Sequence, residues 1–380
     1  MSGNPSCNAE SCPKYIQDNL VSHLDDKAER VQTKTVKYIS NFLTMEALKI
    51  RPIVEADSDQ ASELIEQLSA DTGEKSVVNK KELISFAFPK NNSPPLFSGI
   101  VAVDEIDQIL GMVLYNSKYT AFEGEGIGIQ INTFIVREAY RRKGVGFRLL
   151  RNLCQVANEK GQEISLQIRK DNVAGMKFLV KYDATNSTGQ GWLHYHLSLD
   201  ALQKLAKYSS NKGTNIRVRP AQVKDCENIA KMIQGLGTSY ERPQMPSGDK
   251  KMEANALQRD GFEKSSPDYY AFVAEGEGGL VGYNLIYCTF HPIHGKLVHL
   301  EDLYVDGEQR GEGVGVKLFQ AGAQFAVENG CHGYTLDVLD TNTKAVKFYE
   351  AFGGVNFSAG TDGVQSMKLN THAIRKIINL

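Results

Sequence analysis

The chain has 380 residues, 41% of them hydrophobic and 23% charged, with a formal net charge of −2. That length exceeds what one core fills, so two domains are expected, and the near-neutral balance excludes the broad basic field a nucleic-acid partner requires. Six cysteines stand without a Cys-x-x-Cys pair, and no run approaches the roughly 18 apolar residues of a membrane span, so reduced thiols in a cytoplasmic protein with no membrane partner are expected.

In chain order, residues 1–47 carry patchy helical periodicity (Ile16, Leu20, Leu24; Val36, Ile39, Phe42, Leu43) and are expected to form an N-terminal helical arm. Their first polar stretch lacks the apolar core of a secretion signal. From residue 48 the chain repeats itself at an offset of about 170 residues, a period too long for a solenoid and right for a duplicated domain. Ile50-Arg51-Pro52 returns as Val218-Arg219-Pro220, each a first strand leading through an acidic turn into a helical stretch. Phe134-Ile135-Val136, followed by Arg141, Gly144 and Gly146, returns as Leu303-Tyr304-Val305, followed by Arg310, Gly313 and Gly315. After another amphipathic helix and a β-rich run, Asn172 and Phe178 are matched by Asn342 and Phe348. Each copy reads as strand, glycine loop, helix, strand, Asn-led helix. The copies span 48–208 and 216–380, with the Ser/Asn/Gly-bearing stretch 209–215 as a linker.

A strand that ends in Arg-x-x-Gly-x-Gly and opens into a helix presents bare backbone N–H groups beside the helix's positive end. That arrangement suits a pyrophosphate. It is not a P-loop, because no Lys-Ser/Thr follows, and Gly311, Gly313 and Gly315 lack the spacing of the dinucleotide fingerprint.

With these motifs, both halves resemble the GCN5-related N-acetyltransferase (GNAT) superfamily. The second copy is similar to the diamine (spermidine/spermine) and thialysine acetyltransferases through Ile216-Arg217-Val218-Arg219-Pro220-Ala221, Tyr240-Glu241, Asp260-Gly261-Phe262, the run Gly295 to Val305 with its Leu300-Glu301-Asp302, and Lys347-Phe348-Tyr349. The resemblance implies an α/β fold of two tandem domains, each a mixed, mostly antiparallel sheet flanked by helices. It implies acetyl-CoA as cosubstrate and direct transfer to a small amine in the second copy. Glu301 takes the place of the family's water-relaying base and Tyr349 that of its phenolic acid. Asp302, Tyr240 and Glu241 match its amine-binding positions. Leu303, Tyr304 and Val305 would lie along pantetheine, with Asn342 reaching its amide groups, Arg310, Gly311, Glu312, Gly313, Val314 and Gly315 along the pyrophosphate, and Lys344 and Ala345 also contacting the cofactor.

The chemistry agrees, since an alkylammonium with a pKa near 10.4 must lose a proton before it attacks a thioester, and the departing thiolate gains from a proton donor. Adjacent acids on a regular strand point to opposite faces, so one of Glu301 and Asp302 is expected to face inward. The first copy carries Asn132, Thr133 and Leu179 at the positions of Glu301, Asp302 and Tyr349, so it is expected to be degenerate, with Arg141, Gly144, Gly146 and Asn172 a possible second CoA site. Two departures weigh against long polyamines. The last strand reads Gly363-Val364-Gln365-Ser366-Met367 where the polyamine enzymes carry tryptophan, and their acidic loop is reduced to Asp362. Trp192, His194 and His196 alternate as on a partly exposed edge strand. No metal is expected, because His291, His294, His299 and Cys288 lack a completing ligand.

A protein or peptide amine is the alternative acceptor, and a non-catalytic CoA-responsive interaction protein is the alternative function. Family members are commonly dimers, so a tandem chain is expected to pair internally and remain a monomer.

Overall fold

The computed structural model describes residues 48–90, 93–121, 126–208, 215–239, 252–361 and 363–380; the expected helical arm, Tyr240, Glu241, Asp362 and all of the expected linker but Asn215 lie outside these. The first copy runs β1 (Lys49–Pro52), α1 (Ser58–Thr72), α2 (Lys80–Ala87), β2 (Ser98–Val103), β3 (Ile109–Thr120), β4 (Gly126–Val136), α3 (Val145–Glu159), β5 (Ile164–Arg169), α4 (Val173–Lys181), β6 (Thr185–Asn186), β7 (Trp192–Ser198) and α5 (Leu199–Ala206). The second runs β8 (Arg217–Pro220), α6 (Cys226–Ser239), α7 (Ala254–Gln258), β9 (Tyr270–Gly276), β10 (Gly279–His291), β11 (Gly295–Val305), α8 (Val314–Glu328), β12 (Gly333–Leu339), α9 (Thr343–Ala351), β13 (Val355–Asn356), β14 (Val364–Leu369) and α10 (Thr371–Ile378).

Two seven-stranded sheets result, in the orders β1-β2-β3-β4-β5-β14-β6 and β13-β7-β12-β11-β10-β9-β8. Both are antiparallel except for one parallel pair each, β4 with β5 and β11 with β12. Each is therefore a mixed, mostly antiparallel sheet flanked by helices, the α/β class expected from the repeat.

The strand orders correct one expectation. Dividing the chain at 209–215 separates the copies in sequence but not in space, because each copy's last strand and helix join the other's sheet. β14 pairs with β5 along its whole length, from Val364 opposite Arg169 to Leu369 opposite Ile164. β7 pairs with β12 from Trp192 opposite Leu339 to Ser198 opposite Gly333. Burial explains why the exchange holds. Met367, Leu369, Ala373, Ile374 and Ile377 pack with Leu149, Leu153 and Leu166 of the first core, while Tyr195, Leu197, Leu202 and Leu205 pack with Phe319, Leu300 and Leu336 of the second. At about 1.5–3 kcal/mol for each fully buried aliphatic side chain, each tail contributes a substantial part of the other's core. The chain crossings are tied by backbone bonds, Ser187 N to Ser366 O at 2.9 Å and Phe357 N to His194 O at 2.8 Å.

The same irregularity recurs in both sheets. In β10–β11 the register passes from Leu285 opposite Asp302 to Ile286 opposite Leu300, leaving Glu301 as the extra residue of a β-bulge. In β3–β4 it passes from Leu114 opposite Thr133 to Tyr115 opposite Ile131, leaving Asn132 in that role. The parallel pairing of β11 with β12 covers only Leu297 to Leu300, and that of β4 with β5 only Ile129 to Ile131, so each sheet splays just beyond its bulge.

Candidate active site

A cavity of about 270 Å³ lies between the two sheets. From the second copy it is lined by His299, Glu301, Asp302 and Leu303 of β11, Asp337 of β12, and Asn342, Ala345 and Tyr349 at the start and middle of α9. The facing wall comes from the first copy's Lys118 and Thr120 on β3, Gln130 on β4, and Ser165 and Gln167 on β5. The exchanged strands add Trp192 from β7 and Ser366 and Lys368 from β14. Glu301, Asp302 and Tyr349 are thus brought together.

The bulge overturns the expectation that only one of the adjacent acids faces inward. An extra residue breaks the alternation of a regular strand and re-aims its side chains, and both acids line the cavity. Glu301 Oε1 accepts a hydrogen bond from Ala121 N at 3.2 Å, so the end of β3 in the first copy holds the candidate base of the second. Burial pushes the Glu301 carboxyl up to about 8, reinforced by the charge of neighbouring Asp302 and opposed by Lys118 and the Ala121 N–H. Asp302 is also raised by burial, to about 6, against a hydrogen bond from the Tyr283 hydroxyl at 3.0 Å. Two carboxyls this close ionise one after the other as a coupled pair.

Asp337 behaves differently. Burial pushes it up, but the hydrogen bond with His194 Nδ1 at 2.8 Å, with the charge of Lys118, outweighs this and holds it below the usual carboxylate range. Burial depresses His299 to about 3, so it is a neutral partner of Thr335 Oγ1 at 2.9 Å. Tyr349 is 8% exposed, its ring 5.5 Å from that of Phe319. Tyr304 stacks on Tyr283 at 6.0 Å, bracing the splayed end of β11.

The glycine loop follows. Arg310 Nε donates to Val305 O at 2.8 Å, pinning the loop to its strand, and Gly311 and Gly313 adopt φ of +87° and +84°, which only glycine takes at little cost. α8 then begins at Val314 with no side-chain cap on its first N–H groups. At Gly315 a Cβ would meet only Val305 Cγ2, at 3.8 Å. The protein's own packing leaves that position room for a side chain, and the missing one keeps the approach to the uncapped helix end open for an anion. Glu312 is exposed in the same loop. Asn342 Oδ1 caps α9 by accepting from Ala345 N at 3.2 Å, and Lys344 is exposed in that first turn.

The first copy repeats the backbone without the chemistry. Gly144 takes φ of +82° as the uncapped start of α3, and Arg141 Nε donates to Val136 O at 3.0 Å. Arg141 also faces Asp71 at 3.3 Å, and Arg142 takes a positive φ of 59° where the second copy has Gly311. Asn172 Oδ1 caps α4 through Gly175 N at 2.9 Å. In the bulge, Asn132 donates to Asn116 Oδ1 at 2.5 Å, and Thr133 and Leu179 are buried.

Two residues that looked unremarkable in sequence line the cavity. β7 is not an exposed edge. His194 and His196 are 8% and 9% exposed, and burial, with the nearby His294 and His194, depresses His196 to about 3. Trp192 lines the cavity, pairing with Leu339 just as Val364 pairs with Arg169 in the other sheet. The tryptophan absent from the second copy's last strand is therefore supplied to its sheet by the first copy's. The only sequence signal was that this is the chain's single tryptophan, and only the exchange gives it meaning. Lys118 carried no motif signal at all.

The sequence model of the Acetyltransferase (GNAT) family matches residues 63–182 and 233–354, more than half of the chain. The chain belongs to this family and is an N-acetyltransferase. Curated relatives include the thialysine N-epsilon-acetyltransferases of Sus scrofa, 34% identical over 171 residues (43% of this chain and 97% of that protein), and of Mus musculus, 34% identical over 169 residues (42% and 96%). The human spermidine/spermine N(1)-acetyltransferase-like protein 1 is 27% identical over 150 residues, 38% of this chain and 21% of its own length. Among solved structures, a tandem GNAT protein from the clavulanic acid biosynthesis pathway shares the fold with a TM-score of 0.50 and 15% identity, covering 85% of this chain and 98% of that one. The family uses acetyl-CoA, and the open loop before α8 together with the splayed β11 fits it.

Proposed function

We propose that this N-acetyltransferase transfers acetyl from acetyl-CoA to a small amine at the cavity between the sheets, with the second copy carrying the chemistry. The observation that carries this reading is Glu301, placed by a bulge into a cavity it shares with Asp302 and Tyr349.

Each residue has a task that its surroundings support. The acceptor arrives as an ammonium ion and needs a base, and a carboxylate raised to about 8 is matched to that task near neutral pH. Glu301 would take the amine proton through water, and Asp302 would hold the cation. Tyr349 would donate its phenolic proton to the departing sulfur. The N–H groups from Arg310 to Gly315, with Gly311, Glu312, Gly313 and Val314 between, would hold the pyrophosphate. Leu303, Tyr304 and Val305 would pair with pantetheine as an added strand, flanked by Asn342, Lys344 and Ala345. Carboxylate and phenol supply both proton transfers, so no step calls for a metal. Tyr240 and Glu241 keep the family's place in the amine-binding loop on sequence grounds alone.

A volume of about 270 Å³ between two sheets favours a small acceptor over a peptide, which needs a long groove. The uncapped helix start at Gly144 supports a second, non-catalytic CoA site in the first copy. The exchanged tails supply internally what two subunits would otherwise exchange, which supports a monomer, and the cytoplasm remains the compartment expected from the cysteines.

The test is thiol release from acetyl-CoA across polyamines, short diamines, thialysine and peptides. Glu301→Gln and Tyr349→Phe should each lower turnover by roughly 10²-fold or more on the preferred amine. Undiminished turnover in both would move catalysis out of this cavity.

A further inference from the structure

The two walls of the cavity differ in charge, and the difference bears on the acceptor. The second copy contributes Glu301, Asp302 and Asp337. The first contributes Lys118, half-buried on β3 opposite Gly128. It lines the same cavity as those acids, near enough for its charge to bear on Glu301, His299 and Asp337 without pairing with any of them. The other charges here are engaged. Lys368 pairs with Glu163 at 2.5 Å, Asp337 with His194, and Asp302 with the Tyr283 hydroxyl. Among the described residues, no hydrogen bond or ion pair holds Lys118. Its register counterpart in β10 is neutral Thr289, opposite Leu297, so the cation belongs to one wall only.

A half-buried ammonium without a close partner is costly, and the cost is relieved when an anion arrives with the ligand. An unsubstituted diamine enters as a dication and brings Lys118 a like charge. An amino acid whose side chain ends in an amine carries the same two ammonium groups but adds a carboxylate at the end away from the reacting one, and that carboxylate can face the lysine of one wall while the reacting ammonium faces the acids of the other.

Resting on the transfer reaction proposed above, we propose that the acceptor is an α-amino acid with a side-chain amine, and that Lys118, contributed by the first copy, selects it by binding its carboxylate. The first copy then supplies substrate specificity to the second copy's chemistry.

The matched probes are thialysine and bis(2-aminoethyl) sulfide, which differ only in the carboxylate. The wild-type chain should prefer thialysine in kcat/KM. Lys118→Gln should lower kcat/KM for thialysine about 10- to 100-fold, mainly through KM, as expected for losing one charge-assisted contact, and raise it for the sulfide diamine. Lys118→Arg should keep the preference. A wild-type preference for the diamine would overturn the inference while leaving the transfer reaction standing. So would an equal fall on both acceptors in Lys118→Gln, which would assign the lysine to the ionisation of Glu301. Failure of the chain to acetylate any amine would fall on the proposed function itself and take the inference with it.

Discussion

The two halves of the molecule share a backbone and differ in what it presents. Both have a bulge at the same place in the central strand, a glycine-led helix with no side-chain cap, and an asparagine capping the next helix. At the bulge one copy places a carboxylate raised towards 8 and the other an asparagine bonded to Asn116. The lesson is that duplication preserves geometry more strictly than chemistry. The copy without acid or phenol still forms half the wall and holds Glu301 through Ala121 N.

The comparison is broken most directly by converting the second site into the first. Glu301→Asn with Asp302→Thr and Tyr349→Leu should lower acetyl transfer by about 10³-fold or more, because base and acid leave together while the bulge stays. A smaller loss would place part of the catalysis in the first copy. Next in size is the exchange of tails. Ile377→Ala, in α10 at the end of the second copy, should cost about 2–5 kcal/mol and accelerate amide hydrogen exchange in β3, β4 and β5 of the first. Leu202→Ala, in α5 of the first copy, should do the same in β11 and β12. Acceleration confined to the mutated residue's own copy would contradict the crossing.

Much of this was legible in sequence and some could not be. The repeat, the loops and the candidates Glu301 and Tyr349 are local patterns, and local patterns survive in a string of letters. The exchange of β7 and β14 is not local. Either strand would satisfy the same hydrophobic alternation beside either partner, so nothing in Trp192 to Ser198 states which sheet receives it. That is why Trp192 resembled an edge residue and Lys118 resembled nothing. The bulge escaped for a related reason, since a one-residue irregularity leaves no mark on a mixed run such as Leu297 to Leu303, whose acids fit a regular strand as well.

Acidity separates the copies further. Because the base must be ionised, transfer should rise with pH through about 8, and Glu301→Gln should lose that limb along with most of its rate. Stability should move the opposite way. The folded Glu301 ionises at higher pH than its unfolded counterpart, so its burial costs nothing below the ordinary value of 4.5 and progressively destabilises the fold as pH rises towards 8. Thermal melts should show the Tm of Glu301→Gln gaining on wild type between pH 5 and pH 9, whereas Asn132→Ala shows no such trend. Calorimetric titration with acetyl-CoA should resolve two sites per chain, the weaker lost in Arg141→Ala. A single site would mean that the first loop is now only a turn.

The smallest expected difference lies in the feature the copies share most closely. Arg51 binds Asp57 through Nη1 at 2.7 Å and Nη2 at 2.9 Å, and Arg219 binds Asp225 through the same pair of atoms at 2.7 and 3.1 Å. Each arginine also has a second acid, Glu275 at 3.1 Å from Arg219 Nε and the more distant Asp107 at 3.7 Å from Arg51 Nη2, and the Arg219 side chain is 14% exposed against 29% for Arg51. In both aspartates burial pushes the carboxyl up, and the arginine bond, the backbone N–H of Val54 or Gln222 and the arginine's charge together outweigh it, leaving the group below 3.8. The stabilisation is therefore present above that value and lost as pH falls through the lowered one. Arg51→Gln should cost about 1 kcal/mol at neutral pH and Arg219→Gln about 2, because a better-shielded guanidinium with both acids within hydrogen-bond distance loses more. Both variants should converge on wild type in acid melts below pH 3. Equal costs would mean that Glu275 adds nothing, and that on this point the copies remain equivalent.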